Sequence, residues 1–112
     1  MASYQNVTPI QLGQAAITIS VATIYTVPSS SVVYLKDIDI CNTNATAVNI
    51  NVYLVPSGDT AGKANALFYG ASIPGYSTMQ WTGTQLLNTS QTVQVSASAT
   101  GCTIIVSGGQ AV

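Results

Sequence analysis

Alternation of apolar and polar residues along short segments is the feature that most constrains how this chain can fold. The clearest example is residues 49–54, where Ile50, Val52 and Leu54 are separated by two asparagines and a tyrosine. A period of two places successive side chains on opposite faces of an extended strand. The other alternating segments are Ile17–Val21, Ile24–Val27, Val32–Asn42, Thr78–Thr82, Thr92–Ser98 and Cys102–Val106. The pattern therefore predicts an all-β chain.

Turn-forming residues separate the predicted strands. Pro28 precedes three serines, residues 56–62 are rich in Pro, Gly and Ser, and Pro74 is followed by glycine. Short strands at spacings of about 8–12 residues are typical of sandwiches and barrels. We therefore expect a two-sheet β-sandwich of jelly-roll or related Greek-key type, with seven to eight short strands. Residues 64–69 fit either a helical turn or an irregular strand.

The longest predicted strand, Val32–Asn42, carries apolar residues on both of its faces. With strict alternation Leu35 would share a face with Asp37 and Asp39, whereas Ile38 would lie on the opposite face. One extra residue in a strand reverses the faces of all the residues that follow it. We therefore expect a bulge or a change of face part-way along this strand.

At 112 residues the chain is long enough for one domain and too short for two independently packed cores. Residues 1–14 are polar and contain Pro9 and Gly13, which predicts an extended N-terminal arm or a loose first strand. The β-sandwich domain is expected to cover residues 15–108. Residues 109–112 are expected to form a loose C-terminal tail.

Charged residues make up only 4% of the chain, whereas about 25% is typical of soluble domains. Two lysines cannot neutralise the phosphates that nucleic-acid binding requires, and they are equally too few for an anionic membrane surface. The low charge fits either a surface that partners cover or a neutral polar surface without a partner, and we favour the first. The charged residues are Lys36, Lys63, Asp37, Asp39 and Asp59.

The start of the chain lacks the basic and long apolar regions of a signal peptide, and no apolar run is long enough to span a membrane. We therefore expect synthesis in the cytoplasm, followed by retention there or by release through a route that needs no signal, as when lysis frees a virion.

The sequence offers few groups for catalysis, because it contains no histidine and no glutamate. Asp37 and Asp39 would project from one strand face about 7 Å apart, a spacing that suits a glycosidase pair, calcium ligands or a solvated strand face. We favour the solvated face, since a chain this short rarely forms a sugar-binding cleft. We therefore predict a protein that is not an enzyme and has no catalytic residue, cofactor or metal site.

The two cysteines, Cys41 and Cys102, both fall in predicted strands. They could form a disulfide across strands or sheets, or remain two free buried thiols. Cysteine is among the most buried residue types, so we favour free thiols. Without histidine or a Cys-x-x-Cys motif, the chain has too few ligands for zinc.

Four aromatic residues, Phe68, Tyr69, Tyr76 and Trp81, fall within 14 residues of one another. Phe68 and Trp81 fit either the open end of the core or a contact surface, and we favour the core. Tyr69 and Tyr76 fit an interface or a ligand contact, since Tyr and Trp are enriched at contact hot spots. The candidate interface residues are Tyr69, Tyr76, Trp81 and, in the N-terminal arm, Tyr4 and Ile10.

A further pattern of strands and turns covers roughly residues 23–108. It comprises Ile24–Pro28, Tyr34–Asn42, Val52–Gly58, Ala66–Tyr69, Ile73–Gly75, Gln80–Gly83 and Ile104–Gly108. Together these segments resemble small virion proteins of tailed bacteriophages, among them capsid decoration (cement) proteins and pieces of tails or fibres. The resemblance rests on no invariant motif, so it assigns no binding residue.

Decoration proteins commonly form trimers of β-sandwiches over the local threefold axes of a phage head. The resemblance therefore implies a structural protein on the capsid surface that bridges neighbouring major capsid subunits as a homotrimer. Its partners would be other copies of itself and the major capsid protein. The alternative is a receptor- or carbohydrate-binding module of a tail fibre or baseplate, in which the aromatic residues would stack on sugars.

Overall fold

Eight β-strands make up most of the part of the chain that the computed structural model describes, residues 7–111. This confirms the all-β prediction. Within those residues, no helix has the length and apolar character needed to cross a membrane. The elements are β1 (Val7–Ala16), β2 (Ala22–Thr26), β3 (Val32–Asn42), β4 (Val48–Val55), a 3-10 helix (Lys63–Asn65), β5 (Ala66–Ile73), β6 (Thr78–Leu87), β7 (Thr92–Ala97) and β8 (Cys102–Ala111).

The strands form two antiparallel four-stranded sheets. Sheet A has the order β1-β8-β3-β6, and sheet B has the order β2-β7-β4-β5. The chain passes between the sheets at every connection except that from β4 to β5, so sequence neighbours mostly lie in opposite sheets. Two interleaved Greek keys of this order form a jelly roll, as predicted.

The core lies between the sheets and is filled by the inward-facing residues of the central strands. Alternation places every second side chain of β7 and of the first half of β8 in this layer, as predicted. Burial of these aliphatic side chains is the main stabilising contribution, at roughly 25 cal/mol per Å² of apolar surface. The core residues of these two strands are Val93, Val95, Ala97, Cys102, Ile104 and Val106.

A bulge in β3 confirms the predicted change of face. The pairing register of β3 shifts between Leu35 and Asp37 against both of its neighbours, β6 and β8. Leu35 is buried before the shift and Ile38 is buried after it, whereas Lys36 at the bulge is exposed. The extra residue lets both apolar segments of the strand face the core.

The prediction of a strand at Ile17–Val21 is wrong. This segment crosses from one sheet to the other: the Ile17 backbone N–H donates to the Cys102 carbonyl in sheet A at 2.8 Å, and the Thr18 carbonyl accepts from Ala97 in sheet B at 3.0 Å. Two of its apolar side chains are exposed. Alternation alone cannot distinguish such a crossing from a strand.

Both chain ends are more ordered than the sequence suggested. Most of the predicted arm, residues 1–14, forms β1 (Val7–Ala16), which pairs with β8. The predicted tail at 109–112 continues β8 as far as Ala111. Each end provides the other with a hydrogen-bonding partner, a long-range pairing that local composition does not reveal. Residues 1–6 and 112 lie outside the described part of the chain.

Three local features around β4, β5 and β6 also differ from the simplest prediction. Residues 64–69 combine both alternatives, since the 3-10 helix is followed directly by β5. β6 continues through Gly83 to Leu87 instead of ending at the glycine. Alternation in residues 49–54 places Tyr53 on the face opposite Val52, yet Tyr53 is buried as well; the 3-10 helix contacts β4, which carries this tyrosine.

The Tyr25 hydroxyl is buried and has no hydrogen-bond partner among the described residues. Burial raises the pKa of this phenol above its ordinary value. Because an unsatisfied buried hydroxyl costs about 1 kcal/mol or more, Tyr25→Phe should stabilise the fold by about 1 kcal/mol in urea unfolding at pH 7. Tyr69→Phe, at an exposed position, is the matched control and should have little effect.

The same substitution should change the response to alkaline pH. The unfolded chain ionises Tyr25 near pH 10, whereas the folded chain holds the proton to a higher pH. The free energy of unfolding of the wild-type protein should therefore fall as the pH rises above about 10. In Tyr25→Phe, which has no phenol to ionise at this position, the fall should be smaller. Equal losses in the two proteins would show that the phenol is solvated.

Candidate functional site

The connections between strands are too short to enclose a deep binding cleft. The longest, residues 56–65, contains the 3-10 helix, and the others have five residues or fewer. Binding sites on β-sandwiches are usually built from longer loops at the ends of the strands. The faces and edges of the two sheets are therefore the main surfaces through which this domain can bind a partner.

A shallow groove of about 290 Å³ lies on the outer face of sheet A, over β8. A Cβ atom at position 109 would lie 2.7 Å from Cγ1 of Val7, and one at position 108 would overlap the carbonyl oxygen of Tyr34. Glycine at position 108 thus lets β8 approach β3, and glycine at position 109 leaves room beside Val7 in the groove. The groove is lined by Gly108, Gly109, Val7 and Pro9 of β1, and Tyr34 and Lys36 of β3.

Apolar residues continue from this groove across the whole width of sheet A. Pro9, Gly109, Tyr34 and Leu86 are paired in succession across the four strands, and we call these four residues the apolar row. Leu86 is 52% exposed, and Val7 beside the row is 46% exposed. Pro9 at the other end of the row is also exposed, whereas Tyr34 is half-buried and Gly109 is buried between them. Exposed apolar residues grouped on one face are typical of contacts with other proteins.

An acidic pair lies on the same face, beyond the β3 bulge. Gln80 donates from Nε2 to Oδ1 of Asp37 at 3.3 Å. A hydrogen bond with Asp37 raises the pKa of Asp39, and burial and the neighbouring negative charge raise it further. Lys36 donates instead to Oγ1 of Thr84, at 2.9 Å. The two carboxyl groups therefore interact mainly with each other and with a neutral amide.

The acidic pair is not part of a larger ligand set. Within residues 7–111 no three His, Cys, Asp or Glu side chains are grouped closely enough to hold a metal ion.

The structure does not bring the predicted interface tyrosines together. Tyr69, which is 59% exposed, is on β5 in sheet B, and the Lys63 ammonium lies 5.8 Å from its ring centroid. Tyr76, which is 76% exposed, lies in the turn that leads to β6 in sheet A. They are close in sequence but on different surfaces, because the chain changes sheet between them.

Phe68 and Trp81 pack against the core from the edge strands β5 and β6, which lie on the same side of the sandwich, opposite β1 and β2. The Trp81 ring lies against Gly83, where an added Cβ would be 2.9 Å from the ring. Ile10 of β1 is half-buried and also packs against the core. Tyr4 lies outside the described residues.

The two cysteines are free thiols in the structure. Cys102 is buried among core residues, whereas Cys41 is half-buried and lies between the inward-facing Ile40 and Asn42, so its side chain faces outward from sheet A. Burial raises the pKa of the Cys102 thiol, with a smaller contribution from Cys41. The two thiols therefore point to opposite faces of the same sheet.

Sequence reasoning missed the groove and the apolar row. One signal was present: consecutive glycines at 108 and 109, one residue after the alternating Cys102–Val106 segment, indicate a close backbone approach within a strand. With strict alternation Tyr34 would share the face of Ile38, and only the bulge explains why it faces outward while its two neighbours face the core.

No protein-family model and no curated protein matches this sequence. Among solved structures, the chain is similar to one from Bacillus endospore appendages, which are disulfide-linked pili. The TM-score is 0.57 with 13% identity, over 99% of this chain and 93% of that chain.

Two structures from infectious bursal disease virus are also similar. One, from the Gx strain, has a TM-score of 0.52 and 10% identity, covering 96% of this chain and 32% of the viral chain. The other, from a viral particle, has a TM-score of 0.53 and 11% identity, covering 95% of this chain and 30% of the viral chain. The chain thus spans about a third of those viral chains. At such low identity these similarities establish the fold alone.

Proposed function

We propose that the protein is a structural virion protein of a tailed bacteriophage. In this proposal it decorates the capsid surface as a homotrimer and bridges neighbouring major capsid subunits. The observation that supports this most strongly is the apolar row, exposed at Pro9 and Leu86, on the outer face of a jelly roll whose loops are short. A domain that presents a flat face and no deep cleft is suited to packing against other proteins.

Charge and area support the same proposal. Interfaces are depleted of charge at their centres. Three of the five charged residues, Lys36 and the acidic pair, lie on the outer face of sheet A, but none of them belongs to the apolar row. Each several hundred Å² of apolar surface that is covered contributes roughly 25 cal/mol per Å² before the costs of association. Individual contacts of this size are weak, but many copies on one shell act together through avidity.

The groove fits a protein side chain better than an extended sugar chain. Its volume of about 290 Å³ is just below the roughly 300–1,000 Å³ typical of small-molecule sites. An aliphatic or aromatic side chain of a capsid subunit could insert beside Tyr34, with the Lys36 ammonium at the rim. The carbohydrate-binding alternative has less support, because Tyr69 lies on β5 of sheet B and Tyr76 in the turn before β6, while Trp81 packs against the core.

The proposal is tested by the temperature at which particles lacking the protein release their genome. Adding the wild-type protein should raise this temperature. Tyr34→Asp, which puts a charge in the apolar row, should abolish the gain. Tyr69→Asp, on the outer face of sheet B, is the matched control and should preserve it. No gain with the wild-type protein would overturn the proposal.

One observation favours a second candidate function, a subunit of a pilus-like fibre. The similarity to the endospore-appendage chain covers nearly the whole of both chains, whereas the viral similarities cover a third of theirs. A fibre subunit should polymerise when purified, giving filaments in negative stain. If outward-facing Cys41 linked such subunits, reductant would release single chains in denaturing gels, and Cys41→Ser would remove the links.

A further inference from the structure

The two sheets have four edges, and three of them carry features that oppose strand addition. β1 contains Pro9, which has no N–H, and its pairing register shifts before Gly13. β2 has only five residues and an irregular register. β5 is interrupted at Gly70, which has φ +67°, and its pairing with β4 shifts twice. Prolines, bulges and short strands are common ways in which proteins protect sheet edges.

The edge at β6 has no such protection between Thr78 and Thr82. These five residues pair without interruption with residues 37–41 of β3 and include neither a proline nor a charged residue. β6 is the last strand of sheet A, so within residues 7–111 no strand lies beyond it. An uncharged, regular, exposed edge is a template for pairing with another strand.

One hydrogen bond shows which backbone groups of β6 are available. The Asn42 N–H donates to the Ser77 carbonyl at 2.8 Å, so these two residues face each other in a hydrogen-bonded pair. Such pairs alternate with non-hydrogen-bonded pairs along an antiparallel ladder. The N–H and C=O groups of Thr78, Gln80 and Thr82 therefore point away from β3, towards the free edge.

We propose that β6 pairs with β6 of a second copy of this chain about a two-fold axis that passes beside Gln80. Antiparallel pairing in this register places Gln80 opposite Gln80 of the second copy and Thr78 opposite Thr82. The three outward N–H and three outward C=O groups of each strand then form about six hydrogen bonds across the junction. The two four-stranded sheets become one continuous eight-stranded sheet.

The side chains of β6 suit this register. On the core side Met79 of one copy lies opposite Trp81 of the other, and a thioether beside an indole is a favourable contact. Both side chains are half-buried at the free edge and pack against the core. On the outer side Thr78 lies opposite Thr82, a favourable cross-strand pair. With no charged residue on either strand, no like charges oppose the contact.

β6 has a register shift of its own beyond Thr82, so the segment available for pairing is Thr78–Thr82. The occupant is a second copy of this segment because the other three edges of the same protein are obstructed. The pairing is isologous, so each contact closes on itself and links two copies. It uses the edge of sheet A and leaves the apolar row on the outer face free. The proposed capsid binding therefore does not depend on the pairing. Because a two-fold pair is not a trimer, the pairing describes the protein free in solution, and the homotrimer of the proposed function describes the copies assembled on the capsid.

A cysteine at the two-fold position tests the geometry. In a Cys41→Ser background, Gln80→Cys should form a two-chain covalent product under mild oxidation, because directly opposed strand residues lie at a Cα separation that a disulfide spans. Gln14→Cys, on the opposite edge strand of the same sheet, is the matched control and should form little of the two-chain product. Absence of the product at position 80, or equal yields at both positions, would overturn the pairing.

A proline at the same position tests the hydrogen bonds. The Gln80 N–H is not bonded to β3, so Gln80→Pro should preserve the fold while removing the central donor of the junction. Light scattering after size exclusion should show half the wild-type mass, with unchanged circular dichroism. An unchanged mass would overturn the pairing. Gln80→Pro should still protect particles in the genome-release assay, which separates this result from a failure of capsid binding.

Discussion

Replacing Asn42 with aspartate should lower the free energy of unfolding by about 3 kcal/mol. Asn42 is completely buried, and its Nδ2 donates to the carbonyl oxygens of Thr46, Ile73 and Pro74 at 2.9–3.2 Å. Its Oδ1 accepts from the Asn44 N–H at 2.9 Å. The side chain therefore connects the β3–β4 turn to the β5–β6 turn, and aspartate cannot donate any of these bonds.

Urea unfolding at pH 7 measures the loss, since the midpoint and slope together give the free energy. Asn88→Asp is the matched control: it makes the same chemical change at an exposed position and should alter stability by less than about 0.5 kcal/mol. If the two substitutions lower the free energy of unfolding equally, the buried hydrogen bonds of Asn42 do not stabilise the fold as described.

The second large effect is expected at the floor of the groove. Gly108→Ala should destabilise the protein by about 3 kcal/mol, because the added Cβ would overlap the Tyr34 carbonyl oxygen and force β8 away from β3. β8 pairs with both β1 and β3 along its length, so its displacement disturbs two ladders of sheet A.

Gly62→Ala is the matched control for this change. An added Cβ at position 62 meets no atom within 4 Å, and the backbone there is extended, with φ −172°. Alanine fits this conformation, so stability should change by less than about 0.5 kcal/mol in thermal or urea unfolding. If Gly108→Ala lowers stability as little as Gly62→Ala, β8 can shift away from β3 without destabilising the fold.

The sequence was most informative where core packing alone decides which way a side chain faces. Val93 and Val95 alternate with polar residues and face the core as predicted. The bulge in β3 could also be predicted, since no straight strand buries both Leu35 and Ile38. Alternation misled at Ile17–Val21 because a segment that crosses between sheets has the same periodicity as a strand.

The candidate site was harder to predict because it depends on which strands become neighbours. Pro9, Tyr34 and Leu86 are far apart in sequence and meet only through the pairing of β1, β8, β3 and β6. Conversely, Tyr69 and Tyr76 are close in sequence but lie on different surfaces, because the chain changes sheet between them. Sequence proximity is a poor guide to clustering in a jelly roll.

The proposal that this protein is a structural part of a larger particle is tested most directly by how it partitions between particles and free protein. Lysates of producing cells are separated on a density gradient, and the protein is quantified in each fraction. Wild-type protein should sediment with assembled particles, at many copies per particle, whereas Tyr34→Asp should remain at the top of the gradient. Wild-type protein found only among free proteins, with none on particles, would contradict the proposed role.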